Sequence, residues 1–190
     1  MHLPTVLVLP GWQNSGPLHW QSRWEQLHGY RRVEQHDWMR PLRGDWTARL
    51  EEVVLDHRAD GDSGPGIVLV AHSLGCLLVA AWAAHSRHHA CVRGALLVAP
   101  GDPQREELRA VLASWSPPVL QPLPFPSILV GSRDDPYCSF ERARGFAAAW
   151  KSEFIDYRQC GHINAESGLG DWPEGHRLVQ QLAGAAPSPA

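Results

Sequence analysis

The run Gly66-Ile67-Val68-Leu69-Val70-Ala71-His72-Ser73-Leu74-Gly75-Cys76-Leu77-Leu78-Val79-Ala80-Ala81-Trp82-Ala83-Ala84 decides how the chain is read. Its β-branched-rich apolar part, Ile67 to Ala71, is bounded by Pro65-Gly66 and suits a strand buried on both faces. The Ala- and Leu-rich part behind Gly75 suits a buried helix, so Ser73 falls on the turn between them. A turn this abrupt forces its middle residue into strained backbone geometry, and small residues two places before and after let the helix pack close. Ala71 and Gly75 are those residues, which makes the run a Gly-x-Ser-x-Gly nucleophile elbow with Ala in first place. Such a turn lifts a hydroxyl clear of the sheet edge. Behind it the Leu74 amide and the positive end of the helix dipole face the place where an oxyanion develops. A serine that only caps a helix has the same local pattern, so other segments must decide between the two.

Upstream, Thr5–Leu9 is a continuous apolar run stopped by Pro10-Gly11, the pattern of an interior parallel strand. The loop at its carboxyl end should share a crevice with the elbow, because ligands in open α/β sheets gather at that edge. Gly11 there lets the Trp12 amide approach a reacting carbonyl as a second oxyanion donor. Residues 18–27 carry Trp20, Trp24 and Leu27 at helical spacing, residues 31–38 form a more polar edge strand, and residues 44–57 form an amphipathic helix with an exit loop at 60–66. Downstream, strands are expected over 95–99, 127–130 and 154–157, and helices over 104–113, 140–150 and 174–182. A proline-rich connection over 117–126 is too short for a lid domain. Strand and helix alternate throughout without an internal repeat, which predicts one parallel, doubly wound sheet of about six strands with helices on both faces. Residues 1–183 form that domain and 184–190, rich in Ala, Pro and Ser, a disordered tail.

A chain of 190 residues fits one domain with a large core. The net charge of −3, without a run of like charges, offers no electrostatic footprint for nucleic acid or an anionic membrane, so the expected partner is a small neutral or weakly charged substrate. The four cysteines lack paired spacing, as expected in a reducing cytoplasm, and nothing near the N-terminus has the length or charge of an export or membrane segment. His85, His88 and His89 have no carboxylate or cysteine at ligand spacing and read as solvated imidazoles, so neither a metal nor another cofactor is expected. Nine tryptophans are mostly packing, with Trp12, Trp20, Trp115 and Trp172 as candidates to shape an apolar pocket.

A serine hydroxyl becomes a nucleophile at neutral pH when a base takes its proton and a third group orients that base. After the strand at 127–130 comes Ser132-Arg133-Asp134-Asp135-Pro136, and after the last strand comes Cys160-Gly161-His162-Ile163-Asn164. The order Ser73, acid, His162 is that of α/β-hydrolases. Asp135 leads as the acid because the following proline biases its backbone and so fixes where its carboxylate points; Asp134 and Asp102 are the alternatives.

The stretches Leu9-Pro10-Gly11-Trp12, Ala71-His72-Ser73-Leu74-Gly75, Ser132 to Tyr137 and Gly161 to Gly168, with Gly170, Trp172-Pro173 and Gly175, together resemble a family of small lidless serine hydrolases. These are the hydrolases related to retinoblastoma-binding protein nine, in their bacterial, YdeN-like branch. The resemblance implies a single-domain α/β-hydrolase fold and a Ser73, Asp135, His162 triad, since the family's acid is the Asp directly before the proline. The retinoblastoma-binding peptide needs Leu-x-Cys-x-Glu, which no cysteine here has around it, so that partner does not carry over. The expected function is esterase-type hydrolysis of small carboxylic esters. A thioesterase, a peptidase, or a scaffold with an idle triad are the alternatives.

Overall fold

The computed structural model describes residues 3–59 and 66–184. Its six strands are β1 (Thr5–Leu9), β2 (Arg31–Arg32), β3 (Ile67–His72), β4 (Val92–Val98), β5 (Ser127–Gly131) and β6 (Glu153–Asp156). They form one sheet in the order β2-β1-β3-β4-β5-β6, and every neighbouring pair is parallel. Six helices connect them: α1 (Trp20–His28), α2 (Arg43–Ala59), α3 (Leu74–Ala83), α4 (Glu106–Arg109), α5 (Phe140–Trp150) and α6 (Pro173–Gly184). This is the expected α/β-hydrolase architecture.

The alternation of side chains along a strand divides the core in two. Leu7, Leu9, Leu69, Ala71 and Leu97 pack with Trp46 and Leu50 of α2, Leu77 of α3 and Phe146 of α5 on one face. Val6, Val68, Val70, Leu96 and Val98 pack with Trp20 and Trp24 of α1 and Val179 of α6 on the other. Because both faces are covered, the central strands read as unbroken apolar runs rather than alternating ones.

Two elements differ from expectation. The edge strand read over 31–38 pairs with β1 for only two residues, after which Val33 donates one more bond to Val8 O and the chain leaves the sheet. Asp37 then takes the amides of Met39 and Arg40 in a turn, which ends any strand there. The helix read over 104–113 is regular only across α4, because the amides of Val111 and Leu112 both return to Leu108 O and tighten the chain, ahead of a 3₁₀ turn at Ala113–Trp115. Gly184 closes α6; residues 60–65 of the exit loop and 185–190 of the tail lie outside the described residues. Among the described residues no helix is long and apolar enough to cross a membrane.

Candidate active site

Ser73 caps α3 with φ 55° and ψ −120°, the strained geometry that the strand-to-helix turn demands. Its amide donates to Val98 O and its carbonyl accepts from Cys76 N, each at 3.0 Å, so the turn is closed by backbone alone. Gly75 is required by space: a Cβ there would overlap the carbonyl oxygen of Leu9. Gly11 is also closely packed, since a Cβ on it would stand 2.8 Å from Ser73 Cβ and 3.2 Å from Leu74 N. Gly101, two residues past the strand expected over 95–99, has a role that the sequence analysis does not assign. A Cβ on it would come within 3.5 Å of Ser73 Oγ, so the missing side chain keeps the approach to the hydroxyl open. The signal was available in the matching Pro-Gly pairs, Pro10-Gly11 and Pro100-Gly101, each closing a strand that ends at this edge.

Neither the Leu74 nor the Trp12 amide donates to a described residue, although the neighbouring Gln13 amide is taken by Trp38 O and Cys76 by Ser73 O. The loop that presents Trp12 is tied down from below. Arg32 donates to Asn14 Oδ1 at 2.6 Å, to Ser15 O at 3.1 Å and to Glu25 at 2.5 Å. Gln21 Nε2 bridges the carbonyls of Leu9, the last residue of β1, and Val70, within β3.

His162 Nδ1 lies 3.0 and 2.9 Å from the two carboxylate oxygens of Asp135, a pair whose side chains are 9% and 3% exposed. Asp134 faces elsewhere: its Oδ1 accepts from Ser132 Oγ at 2.7 Å and from the Gly161 amide at 2.9 Å, and those bonds hold its carboxyl below the usual range. Asp102 is engaged by Arg142 at 3.3 Å and by the Gln104 amide. Of the three candidate acids, only Asp135 meets the imidazole. The Tyr137 ring stands edge-on to His162 at 4.6 Å between centroids. Among the described residues His162 Nε2 has no hydrogen-bond partner, Ser73 Oγ included. Such bonds are often long in unliganded enzymes and tighten with substrate.

Ser73, His162, Trp12 and Leu74 line one cavity of about 320 Å³. Trp12, Leu108, Leu112 and Tyr137 supply its apolar side, and His19 and Asn164 lie among its polar lining. Of the four tryptophans singled out, Trp12 alone lines it; Trp20, Trp115 and Trp172 are fully buried in the core. His19 is pushed down to about 3, first by burial and then by the neighbouring His162 and Arg32, so it stays neutral while its Nδ1 accepts from Gln21 N. Away from the cavity, His88 Nδ1 lies 2.6 Å from Glu51, which Ser86 and Trp82 also bond, so this histidine staples α2 to the segment after α3. No group of three His, Cys, Asp or Glu side chains converges on a metal position among the described residues.

A family model described as serine hydrolase matches residues 6–181. Among solved structures, a protein of Pectobacterium atrosepticum described as a YdeN-like hydrolase is 30% identical, with a TM-score of 0.79 over 95% of this chain and 91% of that one. The ydeN gene product of B. subtilis superposes with a TM-score of 0.76 at 18% identity, over 94% of this chain and 98% of that one. Esterase 2 of Thermogutta terrifontis follows at 0.66 and 20%, over 98% and 86%. These last two likenesses speak to the fold alone. No match was found among curated proteins.

Proposed function

The chain belongs to the serine hydrolase family, in its YdeN-like branch, and on that premise we propose that it hydrolyses small carboxylic esters through a Ser73–His162–Asp135 triad. The observation that carries this is the Asp135-held imidazole of His162 on the same cavity as Ser73. In the proposed reaction Ser73 Oγ bonds to the ester carbonyl carbon as His162 Nε2 takes its proton. The Leu74 and Trp12 amides hold the resulting oxyanion. His162 returns that proton to the departing alkoxide as the carbon–oxygen bond breaks, leaving an acyl group on Ser73. Water then attacks the acyl carbon, loses a proton to His162, and the carboxylic acid leaves as the proton returns to Ser73 Oγ. Asp135 stays ionised throughout and keeps the proton of the resting imidazole on Nδ1.

The cavity, of about 320 Å³, holds no Lys or Arg in its lining and a single carboxylate, Glu166, which favours an uncharged ester with a small acyl group. We take that substrate to be the chain's partner. Cys76, Cys138 and Cys160 are free thiols, which supports a cytoplasmic home. A series of p-nitrophenyl esters of rising chain length, with Ser73→Ala as control, tests the function. Turnover should be greatest on the short acyl chains and vanish in the variant; a variant that keeps wild-type turnover would remove Ser73 from the chemistry.

A further inference from the structure

His72 is joined to Ser73 by a peptide bond, and its imidazole Nε2 lies 2.9 Å from the carbonyl oxygen of His162. A carbonyl only accepts, so Nε2 carries the proton and donates. The ring is buried, and its centroid stands 4.7 Å from those of both His162 and His19. Burial, helped by the neighbouring His19 and His162, pushes the His72 imidazole well below its ordinary value, so the ring keeps a single N–H at neutral pH. Trp20 holds the next carbonyl, with Nε1 donating to Ile163 O at 2.8 Å. Ile163 has φ 47°, a region that disfavours a β-branched residue, so the loop stays in this shape only because its surroundings hold it.

Asp135 orients the imidazole through Nδ1, yet nothing among the reacting groups fixes how far the loop stands from Ser73. We infer that His72 is a positioning residue, which sets the separation between the Ser73 hydroxyl and the His162 imidazole by tying the base's own backbone to the residue beside the nucleophile. Trp20 is its second anchor. This rests on the triad reading proposed above. Without the His72 donor, the His162 carbonyl loses its partner and the loop relaxes, so proton transfer slows while substrate binding does not change.

The test compares wild type, His72→Leu, His72→Gln and Trp20→Phe on p-nitrophenyl acetate. The active sites of each are counted by the pre-steady-state burst, so that kcat is expressed per working site. Gln places a donor at about the reach of Nε2, and Leu has none. Ser73→Ala separates the two levels: a burst that survives it ends the triad reading, and a burst that depends on Ser73 leaves the variants to speak for His72 alone. In His72→Leu, kcat per site should fall about 10- to 100-fold with KM unchanged, and His72→Gln should recover to within about threefold of wild type. A purely structural role would lower the number of working sites and leave kcat per site alone. His72→Leu at wild-type kcat per site, or His72→Gln falling as far as Leu, overturns the inference. Should His72→Leu not fold, Trp20→Phe decides, since it keeps a ring and loses the donor. A fall of about threefold or more in kcat per site supports the anchoring, and an unchanged kcat overturns it.

Discussion

The turn that carries Ser73 and the loop that carries His162 are built by opposite means. The turn is closed by backbone bonds and by absent side chains: Ser73 N on Val98 O of β4, and Gly11 and Gly75 where any Cβ would collide. The loop is held by side chains from distant segments, with Trp20 on Ile163 O, His72 on His162 O and Asp134 on Gly161 N. One rim can therefore combine a serine held by main chain and by close packing with a histidine held by side-chain hydrogen bonds. Substitutions at the turn should act as steric faults, whereas those at the loop should act as faults of orientation.

The largest effect is expected at the turn itself. Ser73→Ala should lower kcat/KM on a short p-nitrophenyl ester by roughly 10⁴ to 10⁶ with the fold intact. On the loop side, Asp135→Asn should cost about 10³ to 10⁴ in kcat, because an amide donor facing Nδ1 moves the ring proton to Nε2, where it blocks proton abstraction. Asp134→Asn, one residue away, should cost less than about tenfold and show mainly as a lower melting temperature, since its partners are a hydroxyl and an amide of the scaffold. Steady-state kinetics on this pair of variants divides orientation from support; equal losses would erase the distinction.

The glycines of the turn divide in the same way. Gly75→Ala should destabilise the protein by about 3 kcal/mol in urea unfolding, because its Cβ meets backbone that has no room to give. Gly101→Ala meets Ser73 Oγ at ordinary contact distance, so its melting temperature should stay and its kcat/KM fall by about tenfold. The smallest effect at neutral pH lies in the seam between turn and loop. His19 is held near 3 in the folded protein against 6.5 when free, so the unfolded chain binds its proton first. Its contribution to stability is complete above pH 6.5 and is lost as pH falls toward 3, by up to about 1.4 kcal/mol per pH unit. His19→Asn keeps an acceptor for the Gln21 amide, and its stability measured against pH should fall less steeply over that interval.

The same division explains what was legible beforehand. β1, α5 and the elbow were readable because each is decided within a few residues by apolar run, cap or packing of small groups. The order Ser73, acid, His162 was readable because chain order at strand ends survives folding. The choice between Asp134 and Asp135 was not fixed by their spacing, since adjacent carboxylates differ only in which group each meets. The bonds from Trp20 and His72 to the His162 loop were hidden for the same reason, as each spans 90 or more residues. Burial of Trp115 and Trp172 beneath the surface rather than in the cavity follows from packing against segments that sequence alone does not bring together.

Mass spectrometry of the intact protein after brief exposure to a fluorophosphonate probes whether His162 activates Ser73. Wild type should gain one adduct, mapped to Ser73 by peptide digestion, and His162→Ala should label at least about a hundredfold more slowly. Adduct formation at the same rate in His162→Ala, or an adduct on any residue other than Ser73, would contradict the triad.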